Sequence, residues 1–342
     1  MTDFYYFCGH EQWQPETLVR HAVVAEQAGF DGLLVSEHFH PWVDDQSAAG
    51  FAFATIGAMA QATSRVRITT GVTTPLFRYH PGVVAQAAAT LDRLSNGRFD
   101  LGVGTGENIN EGPLGYHFPG YAERAGRMRE ALQIMRRLLD GEKLTFAGEY
   151  YRTDRARLYS PPLGRVPIWM ASGGPKSAAL AAEFADGIIT SIKVPADTLA
   201  DVIDPARQAA ADLGRPAPRV LATRWAIHAG SEDDAWKALT SWRGLRAPGR
   251  LEAVDPQDLR EKADAMPRAE VLGRYAIVPD AAAMIAAYRA LVEEVGADIV
   301  TFQVTSLDQE ATIRMIAAEV LPALRALSVT SLQSPVTSPD AG

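Results

Sequence analysis

A single cysteine, Cys8, stands in the 342 residues, so an intramolecular disulfide is excluded. One thiol fits a reducing compartment, and Cys8 reads as a small buried hydrophobe rather than a nucleophile. No apolar run approaches the roughly 20 residues of a membrane span. The first residues, Met1-Thr2-Asp3-Phe4, have neither the basic region nor the apolar stretch of a secretory signal. The expected location is therefore cytoplasmic. Positive charge is scarce: 33 Lys and Arg face 41 Asp and Glu, a net charge of −8. That argues against nucleic acid as the main partner. It also means that an anionic ligand would need cations gathered in one place. There is no HExxH or Cys/His array for a metal and no GxSxG nucleophile elbow. No internal repeat stands out. Gly102, Gly104 and Gly106 are dense, but they lack the last-glycine spacing and the immediate helix of a nicotinamide-dinucleotide fingerprint.

What is present is a core and a rhythm. Hydrophobic residues make up 47% of the chain, enough for one large barrel or two ordinary domains. Short apolar or β-branched runs predict strands at Phe4–Phe7, Asp31–Phe39, Val66–Thr73, Arg98–Val103, Pro167–Ala171, Gly187–Ser191, Val220–His228 and Asp298–Thr305. Amphipathic stretches predict helices between them, such as Pro15–Ala28 closed by Gly29, and Tyr121–Leu139 with Met128, Leu132, Met135 and Leu139 on one face. Lys143 to Arg152 reads as a β-hairpin turning at Ala147-Gly148. Arg243 to Tyr275 is irregular, broken by Pro248, Pro256 and Pro267. Eight strand–helix units predict an α/β fold, a (β/α)8 TIM barrel with insertions after strands four and seven. An open doubly wound sheet is the competitor. One domain is expected over residues 1–327, followed by a disordered Ser/Thr/Pro-rich tail over 328–342.

In such a barrel the strand ends converge on one mouth. Leu33-Leu34-Val35 runs into Ser36-Glu37-His38-Phe39-His40-Pro41-Trp42, apolar strand into titratable tip. Glu37 and His38, if extended, point to opposite sides. Gly104-Thr105-Gly106-Glu107 ends strand four. A His on one tip and a Glu on another form the minimum set for taking one proton and giving another. Gly173-Gly174, ahead of a helix, reads as a phosphate cradle of backbone N–H groups.

Ser36–Trp42, Phe77-Arg78-Tyr79-His80-Pro81, Gly102–Glu107 with Asn110, and Gly173-Gly174-Pro175 together resemble the luciferase-like barrel superfamily. Within it they are most similar to the coenzyme F420-dependent glucose-6-phosphate dehydrogenase group, over about Phe4 to Leu327. The resemblance implies a barrel that holds a deazaflavin and moves hydride between it and a carbinol carbon. It implies that His38 acts on the substrate hydroxyl proton, that Trp42 stabilises the intermediate and that Glu107 serves the proton at the ring. Cofactor contacts carried over by motif are Glu37, Gly71, Val72, Thr74, Asn110, Gly173, Gly174, Lys176 and Ser177. A non-proline cis peptide is implied at Gly71–Val72. The substrate-phosphate set would be Thr190 or Ser191 with Lys193, then Lys262 and Arg274. Glu37 stands where the group commonly has Asp. Glu261 falls where a cation is expected, which sets sugar-phosphate specificity against a non-phosphorylated alcohol. FMN in the same barrel, in a luciferase-like flavoprotein or monooxygenase, is the alternative cofactor. A barrel without activity would show decayed strand tips, whereas His38, Trp42 and Glu107 are all present. A homodimer is implied by the resemblance alone.

Overall fold

The computed structural model describes residues 1–331. The strands in chain order are β1 (Asp3–Cys8), β2 (Gly32–Val35), β3 (Arg67–Thr70), β4 (Phe99–Val103), β5 (Leu144–Ala147), β6 (Arg152–Ala156), β7 (Ile168–Ala171), β8 (Gly187–Ser191), β9 (Arg219–His228), β10 (Ala276–Val278) and β11 (Ile299–Ser306). Among the described residues, all of these except β5, β6 and β10 form one closed ring of eight parallel strands. β1 pairs with β2 through Tyr5↔Gly32 and with β11 through Asp3↔Ile299, and β8 pairs with β9 through Gly187↔Arg219. This is the (β/α)8 barrel that the alternating pattern predicts.

The packing follows from period-two side chains on strands buried on both faces. Tyr5, Leu34, Trp169, Ile189, Leu221 and Ile299 fill the barrel interior. Phe4, Tyr6, Cys8, Leu33 and Val35 point outward into the layer shared with the helices. Cys8 is a buried free thiol there, and burial pushes its pKa upward. β3 and β4 approach so closely that a Cβ on Gly102 would lie 1.9 Å from the Thr70 carbonyl oxygen. The helix Pro15–Ala28 starts on proline and ends at Gly29, whose φ of 107° lets its N–H reach the Ala25 carbonyl.

Both insertions are where the sequence puts them. The antiparallel β5–β6 hairpin follows β4. Short helices at Thr240–Arg246, Pro256–Asp264 and Arg268–Leu272 lie between β9 and β10. Several boundaries differ from expectation. β2 leaves the ladder at Val35, opposite Thr70, where β3 also ends. Ser36 to Trp42 are therefore loop, and the opposite-sides argument for Glu37 and His38 does not apply. β10 was not expected. It pairs with the outer end of β9, beyond the point where β8 stops. The final helix continues to Ser331 rather than stopping at Leu327. The rest of the predicted tail, 332–342, lies outside the described residues. No described helix is long and apolar enough to cross a membrane.

Candidate active site

The strand ends form a slot of about 290 Å³, walled by Glu37, His38, Trp42, Gly71, Val72, Thr74, Glu107 and Asn110 together with Glu11, Ser36, Trp225 and Gln303. The sequence thus brings its catalytic candidates and its ring-side cofactor candidates to one cavity. The Gly71–Val72 peptide is cis, as the resemblance implies.

His38 sits at the centre. Its Nδ1 is 2.9 Å from the His40 carbonyl oxygen. A carbonyl only accepts, so Nδ1 carries the proton, and a neutral ring leaves Nε2 with a lone pair. Nε2 lies 3.3 Å from Glu11 Oε1 and 3.9 Å from Glu107 Oε2. Glu11 is 2% exposed. Its second oxygen accepts from Ser36 Oγ at 2.5 Å, and that hydroxyl in turn accepts from the His10 N–H at 2.8 Å. The Trp42 ring packs 4.8 Å from the imidazole and is buried. Glu11 was missed by the sequence reading, although it stands just past the tip of β1.

Glu107 directly precedes the short helix Asn108–Glu111, and its side chain turns into the slot instead of capping that helix. Arg250 Nη1 donates to Glu107 Oε1 at 2.6 Å. Glu37 does not hang free in the slot. Its Oε1 accepts from Arg78, which also donates to Glu111 Oε1 at 2.8 Å. Tyr79 Oη lies 3.4 Å from the same Glu37 oxygen. Two carboxylates share one buried cation, and burial pushes Glu111 up to about 7. Asn110 Oδ1 accepts from the Phe39 N–H at 2.8 Å, which fixes the loop carrying His38.

A second cleft, of about 430 Å³, adjoins the slot and shares Thr105 and Ala171 with it. Gly173, Gly174, Lys176 and Ser177 line it at the start of the helix Pro175–Phe184. The Gly173 and Gly174 N–H groups point to Ser177 Oγ at 3.2 and 3.3 Å. Arg124, another residue the sequence reading missed, donates to the Thr105 and Gly106 carbonyls beside the cleft.

A third cavity, of about 750 Å³, meets the slot at Trp225. Lys193 and Arg274 line it, together with Arg224, Arg246 and Arg250. This is the local concentration of cations that a chain of net charge −8 needs for an anion. Lys193 titrates below its ordinary range, chiefly because Arg246 is near, then through burial, Arg250 and Arg274. The rest of the predicted phosphate set is corrected here. Thr190 is buried within the β8–β9 pairing and lines no part of the cavity. Ser191 is exposed but also outside the lining, because the chain turns at Ile192 before Lys193 reaches the wall. Lys262 is exposed on the helix Pro256–Asp264, and it approaches only the rim, at Gly249. Glu261 accepts from Gln257 on the same helix at 2.8 Å, so it is not in the cavity and does not repel an anion there. Glu252 is the carboxylate in the wall.

Comparison with known proteins agrees with this geometry. The chain is 35% identical over 330 residues to the F420-dependent glucose-6-phosphate dehydrogenase of Nakamurella multipartita, covering 95% of this chain and 97% of that one. It is 36% identical over 323 residues to the F420-dependent hydroxymycolic acid dehydrogenase of Mycobacterium tuberculosis, covering 92% and 86%. An F420-dependent secondary alcohol dehydrogenase solved with an F420–acetone adduct superposes with a TM-score of 0.88 at 32% identity, over 95% of this chain and 99% of that one. The model of one family, described as luciferase-like monooxygenase, matches residues 2–298. With barrel, strand-tip chemistry and sequence in agreement over most of its length, this chain belongs to the luciferase-like monooxygenase family.

Proposed function

We propose that this chain is a coenzyme F420-dependent dehydrogenase acting on the CH–OH group of a phosphate-bearing alcohol such as a sugar phosphate. The named relatives are F420-dependent dehydrogenases. The site also fits the cofactor on its own terms. Glu37 Oε2 and Gln303 Oε1 are buried in the slot with no hydrogen-bond partner among the described residues. They are acceptors suited to the N–H groups of a flat heterocycle. In the adjoining cleft, a Cβ on Gly173 or Gly174 would enter open space, and the buried Arg124 Nε is unpartnered. An anionic tail at a helix N-terminus suits both.

When bound, the deazaflavin supplies the ring carbon that gives or takes hydride. His38 Nε2 takes the hydroxyl proton as hydride leaves the carbinol carbon. Glu11 stabilises the imidazolium that results, and the His40 carbonyl holds the ring in the required tautomer. Trp42 keeps bulk water from this pair, which strengthens both interactions. Glu107 handles the proton on the ring side. Lys193, Arg246 and Arg274 hold the substrate phosphate in the third cavity. The observation that carries the reading is a single imidazole flanked by two carboxylates across one slot.

Binding titrations against F420 and FMN test the cofactor, and tight FMN binding without F420 binding would overturn it. A comparison of kcat/KM for hexose 6-phosphates and their parent sugars, followed by loss of cofactor absorbance, tests the substrate. Equal rates would remove the phosphate. Sedimentation tests the homodimer that the resemblance implies.

A further inference from the structure

The cations around the third cavity have different attachments. Among the described residues, Lys193 and Arg246 have no carboxylate within ion-pair distance, while Arg274 is held by Glu270 at 2.8 Å. Arg250 belongs to two sites at once. It lines the cavity, yet its Nη1 is bound to Glu107 Oε1 in the slot at 2.6 Å, and its guanidinium carbon lies 5.6 Å from the centre of the Trp42 ring. It stands on the stretch 247–255, which has no helix or strand and turns at Gly249 with a φ of 70°. Asn108 Nδ2 donates to the Glu252 carbonyl at 2.9 Å, and His40 Nδ1 lies 3.1 Å from the Val254 carbonyl. The loop is therefore tied to residues that flank both catalytic groups. The charged groups facing Glu107 are His38 from the loop after β2, Arg124 from the helix Tyr121–Leu139, and Arg250; Glu11 lies across His38.

We infer that Arg250 is a specificity-determining latch: it holds Glu107 while the cation-lined cavity is empty, and a substrate phosphate draws it away and frees that carboxylate. The inference rests on the proposed dehydrogenase reading for its effect on turnover. Only Nη1 of Arg250 is engaged by Glu107, and turning the fork to grip a phosphate with two parallel N–H bonds draws it off that single contact. A phosphate monoester carries about −1.5 to −2 charge at pH 7 and three acceptor oxygens, against one charge on Glu107. With Lys193, Arg246 and Arg274 already facing the cavity, the phosphate wins the competition. The phosphate is then read twice, once in affinity and once in the rate at which Glu107 becomes available. Energy from a part of the substrate that does not react is used at the reacting centre.

The first test needs no alcohol and no cofactor. Inorganic phosphate is titrated calorimetrically into the wild-type protein, R250Q, E107Q and the double variant, with E252Q as a control for general charge. In E107Q the arginine is released, so phosphate binds tighter, by on the order of tenfold, the usual size of a coupling between sites. That gain vanishes in the R250Q background, and E252Q shows a smaller gain that persists there. Additive effects of E107Q and R250Q would overturn the latch, as would failure of the wild type to bind phosphate. The second test is turnover of a neutral secondary alcohol by the wild-type holoenzyme. Added inorganic phosphate raises kcat, and R250Q loses that activation. Phosphate acting only as an inhibitor would overturn the inference. If the binding cycle is coupled but no alcohol reduces F420, the latch stands and the proposed function fails.

Discussion

Replacing Glu11 by Gln removes one charge from the centre of the slot. The variant keeps the shape and the acceptor for Ser36 Oγ, and it turns an amide NH2 instead of a carboxylate oxygen toward His38 Nε2. At the 3.3 Å between Glu11 Oε1 and His38 Nε2, a unit charge pair at an effective dielectric of 20 interacts by about 5 kcal/mol. Proton transfer to the imidazole is partial when hydride leaves, so about half of that stabilises the transition state. About 2.5 kcal/mol corresponds to a fall in kcat of roughly 50- to 100-fold. The KM for alcohol changes little, because the Glu11–imidazolium charge pair forms only as the hydroxyl proton reaches Nε2. The assay is steady-state F420 reduction across a pH series, with cofactor affinity measured separately. An E11Q enzyme within threefold of wild type, or one whose loss lies wholly in KM, would refute Glu11 as the charge that supports the His38 imidazolium.

Three further outcomes follow from the geometry. His38→Ala abolishes turnover while F420 affinity stays within a few-fold, because the imidazole faces the substrate; normal turnover would sink the acid–base assignment. Gly174→Val leaves the melting temperature unchanged, since its Cβ meets open space and its backbone is extended. It weakens F420 binding by about an order of magnitude through loss of one or two charge-assisted backbone contacts, and unchanged titrations would contradict the cleft assignment. Glu111 is raised by burial from 4.5 to about 7. Its contribution to stability is therefore complete below pH 4.5 and is lost as pH rises through 7. Denaturant unfolding of wild type and Glu111→Gln should converge in acid and separate in favour of the variant above pH 7, by about 3 kcal/mol. A difference that does not depend on pH would refute the shift.

Much of the architecture was readable from local pattern. The run Leu33-Leu34-Val35, the helix stop at Gly29 and the spacing of Met128, Leu132, Met135 and Leu139 are set by neighbours within a turn or two, so single stretches reveal them. Once a barrel is inferred, strand ends must share a mouth, which is why His38, Trp42 and Glu107 could be named together. Glu11 obeys the same rule at the tip of β1 and was passed over because its segment, Gly9-His10-Glu11, carries no recognised motif. Arg246 and Arg250 had no such signal. They lie in a proline-broken segment without periodicity, where nothing local says which arginines face the mouth.

The order of residue types along this chain determined the alternation of strand and helix, the closed barrel and the strand tips that carry proton-transfer groups. Folding alone decided which charges meet. Arg250 and Glu107 are 143 residues apart in the chain, and their contact at 2.6 Å exists because the loop after β9 packs back over the mouth. The same closure left Thr190 inside the sheet and Lys262 at the rim while it turned Lys193, Arg246 and Arg274 into one cavity. Backbone periodicity is a short-range property that a sequence displays directly. The pairing of side chains across a barrel mouth depends on where every intervening strand and insertion comes to rest.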